Sequence, residues 1–286
     1  MIANQIKEMK ILALRPKEEI DIKIIFQTIL ANFTANKKII DACLKLETGM
    51  VFDLNAVKNI FIENKSNNYG NVGAPYIGEF GRVSENLVPY GIIGLVVNKK
   101  ITLLNYLEIV KVCLETRNSL IIKPFTQCNA LNLIIDIIND VLSQTPDFNN
   151  IVVTNENLEN QNLDLLLYCG IKEQFNKLNT SCEKIFIGVG QYELYVDEVL
   201  DQNLIDFALN NGIKVYYNQE NAIDAINSQG ANYCTAIMSS NKEKIREFIS
   251  NIKSSYVLVN MSPMLIKSVN LYPEQLLKRK TTVIYQ

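Results

Sequence analysis

The stretch Gly91-Ile-Ile-Gly-Leu-Val-Val97 is a short, continuous apolar run, and it decides the fold. An amphipathic segment over residues 103–115 follows it, and a second apolar run, Ser119-Leu-Ile-Ile-Lys123, comes next. Strands that are apolar on both sides must be buried on both faces, which happens in parallel sheets covered by helices. The pattern therefore predicts an α/β fold with a Rossmann-type, doubly wound parallel sheet.

Helix and strand signals alternate along most of the remaining chain. Residues 1–60 carry apolar side chains at spacings of three and four, which predicts helices that cover a neighbouring surface. Residues 64–81 are dense in Gly and Asn, which predicts a loop or a pair of short irregular strands. Apolar runs between amphipathic segments predict further strands at residues 149–154, 163–168, 184–190, 192–196, 213–217, 235–240 and 255–260.

Composition excludes several classes of function. Lys and Arg number 28 against 30 Asp and Glu, so the formal net charge of -2 shows neither the basic excess of a nucleic-acid-binding protein nor an acidic tail. The absence of histidine eliminates a Ser-His-Asp triad, a Cys-His dyad and imidazole metal sites. No apolar run reaches the roughly 18 residues of a membrane span, and the first residues lack a signal-peptide pattern. We therefore expect neither nucleic acid nor membrane as a partner.

The 6 cysteines are scattered without a C-x-x-C pair. This spacing predicts neither a zinc site nor a thioredoxin-type redox motif. We expect free, mostly buried thiols, no bound metal, and a reduced, cytoplasmic environment. Any catalysis would have to use Cys, carboxylates, Lys, Tyr or backbone donors.

Five segments of the chain match the motifs of one enzyme family in the same order. Val88-Pro-Tyr-Gly-Ile-Ile-Gly-Leu-Val-Val97 resembles a V-P-x-G-V-I-G-x-I strand, and Glu115–Pro124 resembles G-N-A-V-V-L-K-P. Three later segments are similar to T-G-V-G-x-x-H-x-Y-V-D-E, G-S-x-H-x-x-A-I-V and R-F-L-x-x-V-D-S-A-x-V-x-V-N: Ile187–Glu198, Gly230–Met238 and Glu247–Asn260. On these residues the chain resembles the aldehyde dehydrogenase superfamily, and within it the gamma-glutamyl phosphate reductase (glutamate-5-semialdehyde dehydrogenase) branch.

The resemblance implies a nucleotide-binding domain, a smaller catalytic domain and a β extension used for oligomerisation. We accordingly expect a helical region plus a nucleotide-binding-like domain over residues 1–200, a reduced catalytic-like domain over 201–260, and a C-terminal extension over 261–286. The extension ends in Lys280-Thr-Thr-Val-Ile-Tyr-Gln286, which reads as a lone strand. Such a strand must pair with another element or with another subunit.

The resemblance also implies a thioester mechanism with NAD or NADP, and the residues of that mechanism are largely replaced. The segment in which the family carries its catalytic cysteine has no counterpart, because residues 201–216 run directly from a helix to the next strand. The family's glutamate falls on Phe186, its oxyanion-binding asparagine on Lys100, and its histidine on Glu193. Because losing a nucleophile typically costs several orders of magnitude in rate, intact family chemistry is not expected.

Four residues are candidates for cofactor binding. Lys123 and Pro124 end a strand, where open α/β sheets bind ligands, and the matching Lys of the family holds the adenosine ribose hydroxyls. The alternative for Lys123 is a surface lysine whose stem packs along the strand end. Gly188 and Gly190 either form the turn that faces the nicotinamide or let two strands bend.

Three residues are candidates for a relocated catalytic role: Cys169, Cys234 and Lys100. Cys169 follows an apolar strand, so its thiol would become reactive if a helix N-terminus lowered its pKa. Cys234 lies next to the position of a family histidine, so it would need a rearranged site to act. Buried, inert thiols are the alternative for both cysteines.

These observations leave two main hypotheses and a third. The first is a degenerate relative that keeps an NAD(P)-binding or protein-interaction role, as a homo-oligomer or in assembly with an active paralogue. The second is an active NAD(P)-dependent oxidoreductase for aldehydes or acyl phosphates, with a relocated cysteine nucleophile. The third is a closed cleft and a purely scaffolding protein.

Overall fold

The computed structural model describes residues 2–13, 22–48, 51–62, 76–78, 81–98, 101–145, 151–170, 172–187, 192–210, 213–228, 234–254, 256–263 and 271–284. The chain forms two compact units. The first comprises Met1–Cys43, Phe52–Ile187 and Leu271–Gln286, and the second comprises Leu44–Val51 and Gly188–Asn270. Within the described residues, no helix is long and apolar enough to cross a membrane.

The helices and strands follow the predicted alternation. In chain order the described helices are α1 (Ile2–Ala13), α2 (Ile22–Ala35), α3 (Lys37–Thr48), α4 (Leu54–Ile62), α5 (Leu103–Glu115), α6 (Asn129–Ser143), α7 (Lys172–Lys177), α8 (Gln202–Asn210), α9 (Gln219–Ser228) and α10 (Lys242–Asn251). The described strands are β1 (Tyr76–Gly78), β2 (Gly81–Pro89), β3 (Ile92–Val97), β4 (Ser119–Lys123), β5 (Ile151–Val153), β6 (Leu165–Cys169), β7 (Glu183–Phe186), β8 (Tyr192–Val196), β9 (Lys214–Tyr216), β10 (Cys234–Met238), β11 (Tyr256–Val259) and β12 (Leu277–Ile284).

The first unit is built on a five-stranded, fully parallel sheet with the order β5-β4-β3-β6-β7. Helices cover both of its faces. Ile92 and Val96 of β3 join an apolar cluster with residues of α1 and with Phe175 of α7. Since successive strand residues point to opposite faces, Ile93 and Leu95 are buried on the other face, where α5 and α6 follow β3 and β4. The predicted doubly wound α/β fold is confirmed.

The turn into β3 requires a glycine. Gly91 has a φ of 123°, and a Cβ at this position would lie 2.5 Å from Oδ2 of Asp164. The same carboxylate oxygen accepts a hydrogen bond from the N–H of Ile92 at 2.8 Å. The N–H of Gly91 donates to Oδ1 of Asn118 at 2.8 Å, and Nδ2 of Asn118 donates to the carbonyl of Leu276 at 2.9 Å. These contacts fix where β3 begins and tie it to a segment late in the chain.

A three-stranded antiparallel sheet, β1-β2-β12, completes the first unit. β12 pairs with β2 in a register that runs from Leu277 opposite Pro89 to Ile284 opposite Arg82. The terminal strand predicted at residues 280–286 therefore finds its partner in β2 of the same chain. β12 lies at the edge of this sheet, and its other side has no paired strand among the described residues.

The second unit is a four-stranded parallel sheet with the order β9-β8-β10-β11. Leu194 and Val196 of β8 pack with Ile205 and Ala208 of α8 on one face. Tyr195 lies on the opposite face in a second apolar cluster formed with the following helices, whose core residues are Ala222, Ile226, Phe248 and Ile252. Both faces are again covered, as continuous apolar strands require.

A polar network ties together the carboxyl ends of β8 and β10. Asp197 accepts hydrogen bonds from Nζ of Lys244 at 2.5 Å, from Oγ of Ser239 at 2.8 Å and from the hydroxyl of Tyr195 at 3.2 Å. The side chain of Asn260 binds both the N–H and the carbonyl of Ser239. The hydrogen bond from Lys244 is the main cause that lowers the pKa of Asp197, against the opposing effect of burial.

The lowered pKa of Asp197 predicts a pH dependence of stability. The charged form of Asp197 stabilises the fold fully above its unfolded-state pKa, and this contribution is lost as the pH falls through the lower folded-state pKa. Since Lys244 is 46% exposed, we expect Asp197→Asn to lower the free energy of unfolding near pH 7 by only about 1 kcal/mol. The variant should also lose less stability on acidification than the wild type.

Urea unfolding followed by circular dichroism near neutral pH and at about pH 3 measures both effects. Asp224→Asn is the matched control, because Asp224 is an exposed carboxylate on α9 without a hydrogen bond among the described residues. Identical pH profiles for Asp197→Asn and Asp224→Asn would contradict the prediction.

Candidate functional site

The strand order of the five-stranded sheet marks one edge as a ligand site. From β3 the chain winds outward through β4 and β5, and it then returns to the other side of β3 through β6 and β7. Open α/β sheets bind ligands outside the carboxyl ends of their strands at such a reversal. At this edge β3 ends before Asn98, β4 ends at Lys123, and β6 ends at Cys169.

A cavity of about 460 Å³ opens at the carboxyl ends of β4 and β5. Its walls come from the loop after β4, the first turn of α6, and the end of β5 with the turn that follows: Pro124, Gln127, Cys128, Asn132, Val153, Thr154, Asn155 and Glu156. Cys128 is the N-cap of α6 and makes no side-chain capping bond. The cavity therefore lies at the positive end of a helix dipole and is lined largely by polar side chains.

Lys123 stands beside this cavity. It is half-buried at the end of β4, directly before Pro124, and its ammonium group has no hydrogen bond or ion pair among the described residues. The backbone N–H of Thr154 donates to the carbonyl of Ile122 at 2.8 Å, which places Thr154 next to Lys123 along the edge. Of the predicted cofactor-binding residues, Pro124 lines this polar cavity and Lys123 precedes it in the chain. Their binding roles remain predictions.

Side chains close the gap between the carboxyl ends of β3 and β6. Nδ2 of Asn98 donates to the hydroxyl of Tyr168 at 3.0 Å and also to Oε1 of Gln174. The Tyr168 hydroxyl donates to the same Gln174 oxygen at 2.9 Å. A Cβ on Gly170 would lie 2.9 Å from the Tyr168 ring, so the backbone passes this network closely. Among the described residues of this edge, the cavity lies on the β4–β5 side.

The cysteine candidates are both fully buried. Cys169 is 0% exposed, and its carbonyl accepts a hydrogen bond from the N–H of Asn98 at 2.7 Å. Cys234 is also 0% exposed, and burial raises its pKa to about 12. A reactive thiolate needs exposure and a lowered pKa, and both thiols lack the exposure in this structure. Their catalytic roles remain predictions.

The position that the resemblance assigns to a glutamate is part of an apolar cluster. The ring centroids of Phe186 and Phe175 lie 5.5 Å apart, and both rings pack against the apolar cluster that contains residues of α1. Lys100, Gly188 and Gly190 lie outside the described residues. Within the described residues, no group of three or more His, Cys, Asp or Glu side chains could hold a metal ion.

Sequence reasoning missed most of the cavity wall. Gln127, Cys128, Asn132 and Glu156 were not predicted as site residues, although one signal pointed to Glu156. Thr154 to Glu156 is a polar run directly after the strand at residues 151–153, and such runs lie at the carboxyl edge of a parallel sheet.

Comparisons with known proteins bear on the fold. No protein-family model matches the sequence, and no curated protein matches it significantly. Solved structures do match. Gamma-glutamyl phosphate reductase from Thermotoga maritima is 15% identical with a TM-score of 0.57, and the match covers 99% of this chain and 97% of that chain.

Two further structures agree more closely in shape. An acetylating aldehyde dehydrogenase from Geobacillus thermoglucosidasius is 12% identical with a TM-score of 0.63, and the match covers 98% of this chain and 95% of that chain. A glyceraldehyde-3-phosphate dehydrogenase from Methanocaldococcus jannaschii, solved in complex with NADP, is 12% identical with a TM-score of 0.61 and coverages of 99% and 93%. The resemblance inferred from the sequence is confirmed at the level of fold: this chain has the fold of the aldehyde dehydrogenase superfamily.

Proposed function

We propose that this protein is an aldehyde-dehydrogenase-like chain that binds a nicotinamide dinucleotide and no longer performs the family's thioester chemistry. The observation that carries the proposal is the polar cavity at the carboxyl ends of β4 and β5, whose wall begins at Pro124, directly after Lys123. The cavity lies at the carboxyl edge of a parallel sheet, which is the edge where open α/β sheets bind ligands. Solved structures with this fold include one in complex with NADP.

The residues of the cavity fit the adenosine half of such a cofactor. The ammonium group of Lys123 supplies a donor for ribose hydroxyls, and the amides of Gln127 and Asn132 offer both donors and acceptors. The N-terminus of α6 favours nearby negative charge, as a phosphate group carries. Phe125, which is 51% exposed on the same loop, offers an aromatic face to a base. When bound, a nicotinamide cofactor supplies hydride transfer.

The surroundings of the thiols support the loss of thioester chemistry. A nucleophilic thiol must be accessible and largely ionised near neutral pH, whereas Cys234 is fully buried with a pKa raised to about 12. Cys169 is fully buried at the end of β6. Phe186, at the family's glutamate position, carries no group that can move a proton.

The alternative function is an active NAD(P)-dependent oxidoreductase with a relocated nucleophile. The position of Cys169 favours it, since this residue ends β6 at the same edge of the sheet as Lys123. The side chains that pack over its sulfur would have to move aside to expose it. The same edge would then hold both the cofactor and the thiol.

We also propose that β12 mediates assembly, with a second copy of this chain or an active paralogue. β12 is the edge strand of the antiparallel sheet, and its last residues, Val283 and Ile284, are 53% and 54% exposed. An exposed edge with apolar side chains is a template for pairing with another strand. The surface therefore supports an assembly role independent of the cavity.

Cofactor binding is tested by thermal unfolding with NAD and NADP. A cofactor at about 100 times its dissociation constant should stabilise the protein by about 2.7 kcal/mol. We expect Lys123→Ala to weaken binding by about tenfold, because a charged hydrogen-bond donor is lost. Lys177→Ala, which removes an exposed lysine on α7, is the control and should bind like the wild type. Absence of stabilisation by either dinucleotide would contradict the proposal.

Turnover separates the two functions. Mixed with an aldehyde and the oxidised cofactor, or with an acyl phosphate and the reduced cofactor, the protein should leave the near-ultraviolet absorbance of reduced nicotinamide unchanged, because both candidate thiols are buried. Cys169→Ser and Cys234→Ser should match the wild type. An absorbance change that one of these variants abolishes would establish the active alternative instead.

Assembly is tested by light scattering coupled to size-exclusion chromatography. We expect an oligomer for the wild type and a smaller mass for the double variant Val283→Lys, Ile284→Lys, since lysines on an edge strand block pairing with another strand. Leu46→Lys is the control, because Leu46 is an apolar residue of α3 that is 89% exposed. An unchanged mass for the double variant would refute a role for β12.

A further inference from the structure

The helix α1 contacts the five-stranded sheet through one apolar face. Ile2, Ile6 and Met9 are buried, at the i, i+4 and i+7 spacing of residues that share a helix face. They join the apolar cluster that contains residues of β3. Lys7 and Glu8 of the same helix are exposed. Because a 12-residue helix is only marginally stable by itself in water, α1 depends on this packing for its structure.

A hydrogen bond joins the start of α1 to the wall of the cavity. The N–H of Ile2 donates to Oε1 of Glu156 at 3.1 Å. Ile2 is the first residue of α1, so its N–H is one of those that no carbonyl of the helix can bind. Glu156 also lines the cavity, and its own N–H donates at 3.1 Å to Oγ1 of Thr154, another residue of the wall. The first turn of α1 therefore helps to fix the turn after β5.

The same hydrogen bond offsets the charge of the cavity wall. Among the described residues that line the cavity, Glu156 carries the only formal charge. The amino end of a helix bears a partial positive charge, which stabilises a nearby carboxylate. If α1 left the sheet, Glu156 would lose this partner, and its charge would act more strongly on the cavity. Since like charges repel, a docked α1 favours a ligand that carries phosphate groups.

We propose that the docking of α1 and the occupancy of the cavity are coupled through Glu156, so that each favours the other. The ligand in this inference rests on the proposed cofactor binding, whereas the contact between α1 and Glu156 is present without a ligand. By linkage, a ligand that binds more tightly when α1 is docked stabilises the docked helix by the same factor. Helices held by few tertiary contacts open locally while the rest of a protein stays folded. Release of α1 is thus a means of weakening binding at the cavity.

Hydrogen–deuterium exchange of the full chain, followed by mass spectrometry on peptides from α1, tests the coupling from the side of the helix. Without ligand, Glu156→Ala should raise the exchange rate in α1 by about fivefold, because a hydrogen bond to a charged group is lost. Glu156→Gln keeps an acceptor for the N–H of Ile2 and should raise this rate less. Saturating NAD or NADP should slow exchange in α1 of the wild type and leave it unchanged in Glu156→Ala.

Calorimetric titration with NAD and NADP tests the coupling from the side of the cavity. Met9→Ala weakens the packing of α1 at a residue that does not line the cavity. We expect this variant to bind the dinucleotide at least about fivefold more weakly than the wild type. Met238→Ala is the matched control, because Met238 is buried in the core of the second unit, and it should leave both binding and exchange in α1 unchanged. Thermal unfolding checks that each variant is folded.

The outcomes separate the coupling from cofactor binding itself. Exchange in α1 that is insensitive to Glu156→Ala, or that stays unchanged when a dinucleotide binds, would overturn the coupling and leave cofactor binding intact. An equal loss of affinity in Met9→Ala and Met238→Ala would overturn it as well. Binding of neither dinucleotide would overturn both proposals.

Discussion

Burial of β3 on both faces is the constraint on which the rest of the first unit depends. Every residue from Ile92 to Val97 is buried, so this strand can only lie in the middle of a sheet with helices above and below it. Parallel neighbours on both sides then follow, since each is joined to its predecessor through a covering helix. All five carboxyl ends thereby meet at one edge, where polar side chains can gather without cost to the core.

The two halves of that edge have different chemistry. Between β3 and β6, the side chains of Asn98, Tyr168 and Gln174 satisfy one another and fill the gap. Beside β4 and β5, the side chains surround a cavity, and the ammonium group of Lys123 has no partner among the described residues. A ligand gains little binding free energy from polar groups that already hydrogen-bond to each other. It gains more from a cavity whose polar groups can still form hydrogen bonds. Among the described residues, room for a ligand therefore lies beside β4 and β5.

Local sequence patterns predicted the helices and strands well. Contacts between residues far apart in the sequence could not be predicted. The apolar periods of α5 and α9 predicted those helices, and the run at residues 119–123 predicted both a strand and the placement of Lys123 at its carboxyl end. The pairing of β12 with β2 could not be predicted, because it joins residues about two thirds of the chain apart and depends on which free edge remains. Glu156 was not predicted as a cavity residue for the same reason. Its side chain accepts a hydrogen bond from Ile2, which is 154 residues away in the sequence.

Binding and thiol chemistry are physically separable in this architecture. The binding groups lie just beyond the strand ends, where the backbone leaves the core and side chains reach solvent. The cysteines Cys169 and Cys234 lie within strands, and the double-sided cover that stabilises those strands also removes water from their sulfur atoms. Desolvation disfavours a thiolate, as the raised pKa of Cys234 records. A sheet of this kind therefore keeps polar side chains at its carboxyl edge while burial within a strand disfavours a thiolate, so a reactive thiol has to come from a segment outside the strands.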